Sequence, residues 1–91
     1  MLKSPAAPVV IDVRTPEEFD GELGHIAGAR LIPLQVFPDS LRTISAFKDS
    51  TIIMVCRSGR RSAIASEMLT KAGFKKVFNL KGGMISWNKP Q

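Results

Sequence analysis

The residues best suited to chemistry surround the single cysteine of the chain. Cys56 opens a polar loop, Cys-Arg-Ser-Gly-Arg-Arg over residues 56–61, which follows an apolar, β-branched run over residues 51–55. Such a run predicts a strand buried in a parallel sheet. After the loop, helical spacing connects the apolar side chains Ile64, Ala65, Met68, Leu69 and Ala72. The sequence therefore predicts a cysteine between the carboxyl end of a strand and the amino end of a helix.

This loop has the character of an anion site. Consecutive backbone N–H groups of a tight turn at a helix N-terminus converge on an anion. Together with the helix dipole and the guanidinium groups of Arg57, Arg60 and Arg61, they favour thiolate over thiol and lower a cysteine pKa by roughly one to several units. We predict that Cys56 is nucleophilic at neutral pH. The alternative is a small buried core side chain, the commonest fate of a free cysteine.

Length and composition indicate one soluble globular domain. The 91 residues allow a modest core, and 44% hydrophobic with 23% charged residues is ordinary. No apolar run approaches the ~20 residues of a membrane span, and the first ten residues lack a signal-peptide core. We expect a cytoplasmic monomer without a membrane partner, although a piece of a secreted or anchored parent would have the same composition. One cysteine excludes an internal disulfide and a multi-cysteine zinc site, and we expect neither metal nor cofactor.

The net charge of +5 is distributed unevenly along the chain. Residues 46–91 carry nine basic and two acidic side chains, whereas residues 1–45 carry four basic and six acidic ones. The positive half contains Cys56, so its field would attract an anion. Nucleic acid is not the expected partner, because the basic residues do not alternate with exposed aromatic residues and no nucleic-acid-binding motif appears.

Four apolar runs alternate with helical patterns along the chain. We predict a flexible lead-in over residues 1–8 and a domain over residues 9–91. The predicted strands cover residues 9–13, 30–32, 51–55 and 77–80. The first predicted helix starts at a Thr15–Glu18 capping box and ends at about Phe19, and the second starts at Pro38 and has Leu41, Ile44 and Phe47 on its inner face. The third runs from Ser62 to Gly73, which would end it in a left-handed conformation, and the last covers residues 84–87. This order predicts an α/β fold with a small parallel sheet of about four strands and right-handed crossovers. Ligands bind at the carboxyl edge of such sheets, where Cys56 falls.

Two other polar residues admit a structural or a catalytic interpretation. Asp12 lies in an apolar strand, where a carboxylate needs partners, and a scaffold role is favoured over acid or base chemistry. His25 is the only histidine and lies between glycine-rich segments. It is more simply a loop-stabilising residue than a base for Cys56.

Four segments of the chain together resemble the small single-domain members of the rhodanese family of sulfurtransferases. The matching segments are Ile11 to Phe19, Gly24 to Ala29, Cys56 to Ser62, and Gly82-Gly83 with Trp87. Each is a weak signal alone, and their order over most of the chain makes the resemblance specific. The sequence departs from the family pattern in two places. It starts close to the Asp12 strand, without the strand and helix that often precede it, and it has Ala27 where proline is common.

The resemblance implies a rhodanese-like fold, with helices on both faces of the sheet, and a sulfur-transfer site. Cys56 would take the outer sulfur of thiosulfate or a similar anionic donor as a persulfide and pass it to cyanide or a thiol, possibly on a protein. The loop residues Arg57, Ser58, Gly59, Arg60 and Arg61 would bind the transferred sulfur and its donor. Arg57 and Arg60 would attract the anion, while Arg61 faces either the pocket or a structural acid. The resemblance also makes Asp12, Arg14, Glu18 and His25 scaffold residues, and Gly82-Gly83 a point where backbone passes close to the loop.

Two rival functions remain open. Cysteine phosphatases and arsenate reductases of similar fold need five residues between cysteine and arginine, but only four separate Cys56 from Arg61, and Ser62 stands where that arginine is required. The shorter loop suits one sulfur atom better than a phosphoryl group with its equatorial oxygens. The second rival is a persulfide carrier or a regulatory binding module. Retention of Cys56 weighs against the regulatory module and not against the carrier.

Overall fold

Four short parallel strands form the sheet of the molecule. The computed structural model describes residues 8–88, so the predicted lead-in lies outside the described residues except for Pro8. The strands are β1 (Val9–Asp12), β2 (Arg30–Leu31), β3 (Thr51–Val55) and β4 (Lys76–Asn79), in the order β2-β1-β3-β4. The predicted four-stranded parallel α/β fold is confirmed. β1 and β2 are each one residue shorter than predicted, and β4 lies one residue earlier.

Helical segments connect these strands. They are α1 (Pro16–Phe19), α2 (Phe37–Ser40), α3 (Arg60–Lys71) and α4 (Gly83–Trp87), with 3-10 helices at Leu34–Val36 and Leu41–Phe47. The predicted capping box is present. The Thr15 hydroxyl accepts a hydrogen bond from the backbone N–H of Glu18, and the Glu18 carboxylate accepts one from the backbone N–H of Thr15. It starts α1 directly after β1 and so places Glu18 at the carboxyl edge of the sheet.

The helix predicted from Pro38 is α-helical only in its first turn. Thr43 donates its hydroxyl to the carbonyl of Ser40 at 2.7 Å, the same carbonyl that an α-helix would offer to the N–H of Ile44. The chain continues in 3-10 geometry from Leu41. Ile44 is nevertheless buried, as the predicted inner stripe requires.

The boundaries of α3 differ from the prediction at one end only. The helix begins at Arg60, two residues before Ser62, and Gly73 follows its C-cap with a φ of +96°, as predicted. At this end, the N–H of Gly73 donates to the carbonyl of Thr70 and the N–H of Phe74 donates to the carbonyl of Leu69. Its buried face consists of Ser62, Ala65 and Leu69. The prediction that Ile64 belongs to the apolar stripe is wrong, because this side chain lies at the edge of that face and is 49% exposed.

The main core lies between one face of the sheet and the helical segments that precede and follow β3 in the sequence. Ile11, Ile52 and Met54 from the strands pack in one cluster with side chains from the Leu41–Phe47 helix and α3, among them Ile44, Ala65 and Leu69. Strand alternation turns Val55 to the opposite face, and Val55 and Met84 of α4 are also buried. This burial on both faces holds the end of β3, and therefore Cys56, in place.

Among residues 8–88, no helix has both the length and the apolar character needed to span a membrane. The monomeric state and the cytoplasmic location stay predictions.

Candidate active site

Cys56 lies immediately after β3, and the following loop bends back over its sulfur. The residue is 1% exposed. The backbone N–H of Gly59 donates to Cys56 Sγ at 2.9 Å. Gly59 is the N-cap of α3 and has a φ of +103°, a conformation that glycine adopts without the strain other residues would meet. The predicted strand–loop–helix arrangement around the cysteine is therefore present.

Ser62 is a site residue that the sequence did not single out. Its side chain is fully buried in the first turn of α3, and its hydroxyl lies 3.4 Å from Cys56 Sγ and 3.2 Å from the carbonyl oxygen of Gly59. The available signal was the apolar stripe itself, because Ser62 precedes Ala65 and Leu69 at helical spacing. A hydroxyl on the buried face of a helix that begins at the cysteine loop points back to the loop.

The surroundings of Cys56 favour its thiolate. Burial is the largest single influence and raises the pKa of the thiol, because it disfavours the charged form. Hydrogen bonds act against this: the hydroxyl and backbone N–H of Ser62 and the backbone N–H groups of Gly59 and Ser58 lower the pKa. Their sum exceeds the effect of burial, so the pKa of Cys56 lies below its ordinary value. The result is a buried sulfur stabilised as an anion by main-chain and hydroxyl donors.

The first turn of α4 orients the peptide groups at the start of the loop. Met84 N–H donates to the carbonyl of Cys56 at 2.8 Å, and Ile85 N–H donates to that of Arg57 at 3.0 Å. In a trans peptide the N–H points away from the carbonyl. The N–H groups of Arg57 and Ser58 are therefore turned away from α4, and that of Ser58 is among the donors that lower the pKa of Cys56.

Close approach of α4 to the loop depends on Gly83. A Cβ at this position would lie 2.3 Å from the carbonyl oxygen of Cys56 and 2.6 Å from that of Arg57. Gly82 and Gly83 both have positive φ, of +77° and +58°. The close passage of backbone that the resemblance implied for these two glycines is therefore present.

The three loop arginines have different surroundings. Arg57 and Arg60 are exposed, and within residues 8–88 neither forms an ion pair. Arg61 donates to both carboxylate oxygens of Glu18, at 2.6 and 2.7 Å. Of the two orientations considered for Arg61, the structure has the one toward a structural acid. This pair ties the start of α3 to α1.

The Arg61–Glu18 pair predicts a specific acid sensitivity. The hydrogen bonds from Arg61 are the main reason that the pKa of Glu18 falls from 4.5 to about 2. A lowered carboxylate pKa adds stability above about pH 4.5 and loses it as the pH falls toward about 2. We expect Glu18→Gln to destabilise the protein at pH 7 and to flatten the pH dependence of the unfolding free energy in this window.

Urea unfolding monitored by circular dichroism at a series of pH values measures this effect. Glu17→Gln is the matched control, since Glu17 is exposed in the same helical turn. An equally flattened pH profile in both variants would show that the ion pair contributes nothing specific.

Asp12, Arg14 and His25 form the scaffold beside the loop. Asp12 and Arg14 are buried, and the Arg14 guanidinium donates to the Asp12 carboxylate and to the carbonyls of Glu18 and Gly24. The Nδ1 of His25 lies 2.9 Å from the carbonyl oxygen of Phe19, and the imidazole ring stacks on the phenyl ring of Phe19. The structural interpretation of these side chains agrees with their contacts, and within residues 8–88 none of them is hydrogen-bonded to Cys56.

Asn79 is the second site residue that the sequence analysis missed. It ends β4, and its register partner is Met54, two residues before Cys56. Its amide nitrogen donates to the carbonyl of Gly59 at 3.0 Å, and its amide oxygen accepts from the Ser62 hydroxyl. The signal was a polar residue at the carboxyl end of a strand, since such ends meet at one edge of a parallel sheet.

Comparisons with known proteins agree in one family. The model of the rhodanese-like domain matches residues 1–90. The uncharacterized protein YqhL of Bacillus subtilis is 41% identical over 78 residues, which are 86% of this chain and 59% of that protein. A sulfurtransferase of Allochromatium vinosum is 37% identical over 79 residues, which are 87% of this chain and 70% of that protein. The chain thus spans about three fifths of the length of the first of these relatives.

The fold is found in solved structures as well. A structure described as a rhodanese with anions from Escherichia coli superposes with a TM-score of 0.78 at 36% identity, over 92% of this chain and 95% of the other. The two sequences therefore share the architecture over nearly their whole length.

Proposed function

Because the chain belongs to the rhodanese-like domain family, we propose that it is a sulfurtransferase that moves a sulfane sulfur through a persulfide on Cys56. One observation carries this proposal: the buried Cys56 sulfur accepts the N–H of Gly59 at 2.9 Å inside a loop whose donors favour its thiolate. The relative from Allochromatium vinosum, which is named a sulfurtransferase, agrees with this chemistry. The donor and acceptor proposed here are those that the resemblance to the rhodanese family implies.

The first half-reaction loads the cysteine. The Cys56 thiolate attacks the outer sulfur of thiosulfate, the bond between the two sulfur atoms of thiosulfate breaks, and sulfite leaves with the bonding electron pair. The product is a Cys56 persulfide whose negative charge lies on the outer sulfur. The backbone N–H groups of Ser58 and Gly59 stabilise this charge, as an oxyanion hole stabilises a developing oxyanion.

The second half-reaction regenerates the thiolate. Cyanide, or the thiolate of an acceptor, attacks the outer sulfur and leaves as thiocyanate or as a new persulfide, while Cys56 keeps the electron pair of the broken bond. A ping-pong pattern follows, because sulfite departs before the acceptor reacts. An open pocket of about 250 Å³ beside the loop, with Arg57 and Glu22 among its lining residues, has room for a small thiol.

Intact mass spectrometry tests the proposal directly. After incubation with thiosulfate the protein should carry one additional sulfur atom, and cyanide should remove it and yield thiocyanate. A resident persulfide on the protein as purified would support the same chemistry without any choice of donor. If no sulfur is acquired from thiosulfate or from a persulfide donor, the proposed function is wrong.

The phosphatase alternative predicts a different outcome. The loop is one residue shorter than the phosphatase pattern and suits a single sulfur atom, whereas a transferring phosphoryl group needs a wider ring of donors for its three equatorial oxygens. We expect negligible hydrolysis of an aryl phosphate under conditions that give sulfur transfer. Aryl phosphate hydrolysis as fast as sulfur transfer would reverse this ranking.

A persulfide carrier would take up sulfur and release it only to a partner thiol protein, so the rate of sulfur release to cyanide separates a carrier from an enzyme.

Arg57 and Arg60 supply the next prediction. Both are exposed beside the loop, so each should attract a dianionic sulfur donor without forming the bond that breaks. We expect Arg57→Gln and Arg60→Gln to raise the KM for thiosulfate about three- to tenfold, with a smaller effect on kcat, on the scale of about 1 kcal/mol per exposed charge.

Steady-state kinetics with varied thiosulfate and ionic strength measures this effect. Arg42→Gln is the matched control, since Arg42 is also exposed and lies in the Leu41–Phe47 helix rather than in the loop. Equal changes in KM for all three variants would indicate only the loss of net charge.

A further inference from the structure

The hydroxyl of Ser62 has three acceptors within reach but only one proton. These acceptors are Cys56 Sγ at 3.4 Å, the carbonyl oxygen of Gly59 at 3.2 Å and the amide oxygen of Asn79, which is hydrogen-bonded to it. A serine hydroxyl donates one hydrogen bond at a time. Ser62 is fully buried, so the protein groups around it decide where the proton goes. A bond to Asn79 therefore withholds the proton from the sulfur.

The orientation of the Asn79 amide follows from its other contact. Its nitrogen lies 3.0 Å from the carbonyl oxygen of Gly59, which can only accept. The reverse orientation would place two oxygens against each other without a proton between them. The amide oxygen therefore faces the Ser62 hydroxyl. Asn79 holds the carbonyl of Gly59, the residue whose N–H binds the sulfur at 2.9 Å.

We propose that Asn79 is a positioning residue of the sulfur site, which anchors Gly59 and competes with the Cys56 sulfur for the single proton of Ser62. A charged sulfur is the stronger acceptor, because hydrogen bonds to ionised groups are about twice as strong as neutral ones. The hydroxyl turns to Cys56 when the sulfur is a thiolate. It returns to Asn79 when the charge has moved to the outer sulfur of a persulfide, a step that depends on the proposed function.

The loop and the elements next to it carry several other charged side chains. They are Arg57, Arg60 and Arg61 in the loop and α3, Asp12 and Arg14 at the end of β1, Glu18 in α1, and Lys81 in the turn before α4. Arg61 interacts electrostatically with Cys56 and Asp12, and its guanidinium binds Glu18. A neutral substitution at Asn79 leaves all of these charges unchanged.

The test is the pH dependence of Cys56 alkylation by iodoacetamide. Cys56 is the only cysteine, so the alkylated mass reports on this thiolate alone. Asn79→Ala releases the Ser62 hydroxyl to the sulfur. We expect the apparent pKa to fall by about half a unit, which gives about threefold faster alkylation below that pKa. Asn79→Asp offers a stronger acceptor and adds negative charge, so we expect the opposite shift. If the role of Asn79 were purely structural, both substitutions would shift the apparent pKa of Cys56 in the same direction.

A double-mutant comparison isolates the competition for the proton. In a Ser62→Ala background, Asn79→Ala should no longer lower the apparent pKa of Cys56, because no hydroxyl remains to be shared. Loss of the bond from Asn79 to the Gly59 carbonyl then acts alone and can only raise that pKa. Phe78→Asp controls for added charge, since Phe78 is 57% exposed and alternation turns it to the other face of β4. Its effect should be smaller than that of Asn79→Asp.

Three outcomes would overturn the inference: an unchanged or raised pKa in Asn79→Ala, a shift of the same sign in both Asn79 variants, or an undiminished shift in the Ser62→Ala background. Alkylation requires no sulfur donor. A protein that takes sulfur neither from thiosulfate nor from a persulfide donor would therefore refute the proposed function and leave the result on Asn79 standing.

Discussion

Cys56→Ser is expected to abolish both the uptake of sulfur from thiosulfate and the release of thiocyanate. The substitution keeps the size of a buried side chain and replaces the thiolate by a hydroxyl that stays protonated at neutral pH. A hydroxyl cannot form the persulfide, and no second cysteine is present to take its place. We expect turnover to fall at least about a thousandfold, the scale on which removal of a catalytic nucleophile acts.

Intact mass and thiocyanate colorimetry measure the two half-reactions separately. Thermal unfolding of the serine variant should stay close to that of the parent protein, which shows that the loss is chemical. Ser58→Ala in the same loop is a useful comparison, because Ser58 contributes its backbone N–H and the substitution keeps that group. Sulfur transfer by the Cys56→Ser variant would mean that the nucleophile has been assigned to the wrong residue.

Gly83→Ala is expected to have the second largest effect, on both stability and activity. The new Cβ would lie 2.3 Å from the carbonyl oxygen of Cys56 and 2.6 Å from that of Arg57, and both are backbone atoms of the loop. Relief of this overlap must displace either α4 or the loop, and it would break the bonds from Met84 and Ile85 that orient the first two peptides. Overpacking together with left-handed strain costs roughly 2–5 kcal/mol.

Gly28→Ala provides the matched control for this prediction. Gly28 has a φ of +82° and nothing within 4 Å of an added Cβ, so its substitution isolates the cost of the left-handed conformation. We expect a loss of about 1–2 kcal/mol there, with sulfur uptake unchanged. Urea unfolding compares the two variants, and persulfide formation by mass spectrometry reports on the loop of the folded protein. If both variants lose the same stability and both take up sulfur normally, close approach of α4 is not what orients the loop.

Together these two predictions assign separate roles to side chain and backbone. In the proposed reaction Cys56 supplies the reacting atom, while the donors that stabilise its charge are mostly main-chain N–H groups oriented by their neighbours. Substitutions of loop side chains other than Cys56 should therefore have graded effects on sulfur transfer. Substitutions that move loop peptides should have effects close to loss of function.

Local sequence patterns were sufficient to predict much of the fold and the position of Cys56, the proposed nucleophile. The apolar run over residues 51–55, the Thr15–Glu18 capping box and the glycine after α3 each depend on neighbours a few residues apart. Periodicity and backbone geometry act over the same short range, so sequence records them directly. The place of Cys56 between strand and helix followed from this local information.

Only the tertiary structure decided which side chains surround the sulfur. Arg61 binds Glu18 across 43 residues of sequence, and Ser62 meets Asn79 across 17. Such contacts depend on strand order and register, which bring Asn79 beside Met54 and α1 beside the loop, and no short-range pattern specifies them. The sequence by itself thus determined the proposed nucleophile and the elements that carry it. The packing of those elements determined which donors hold its charge, because a hydrogen bond requires two groups within about 3 Å of each other, wherever they stand in the chain.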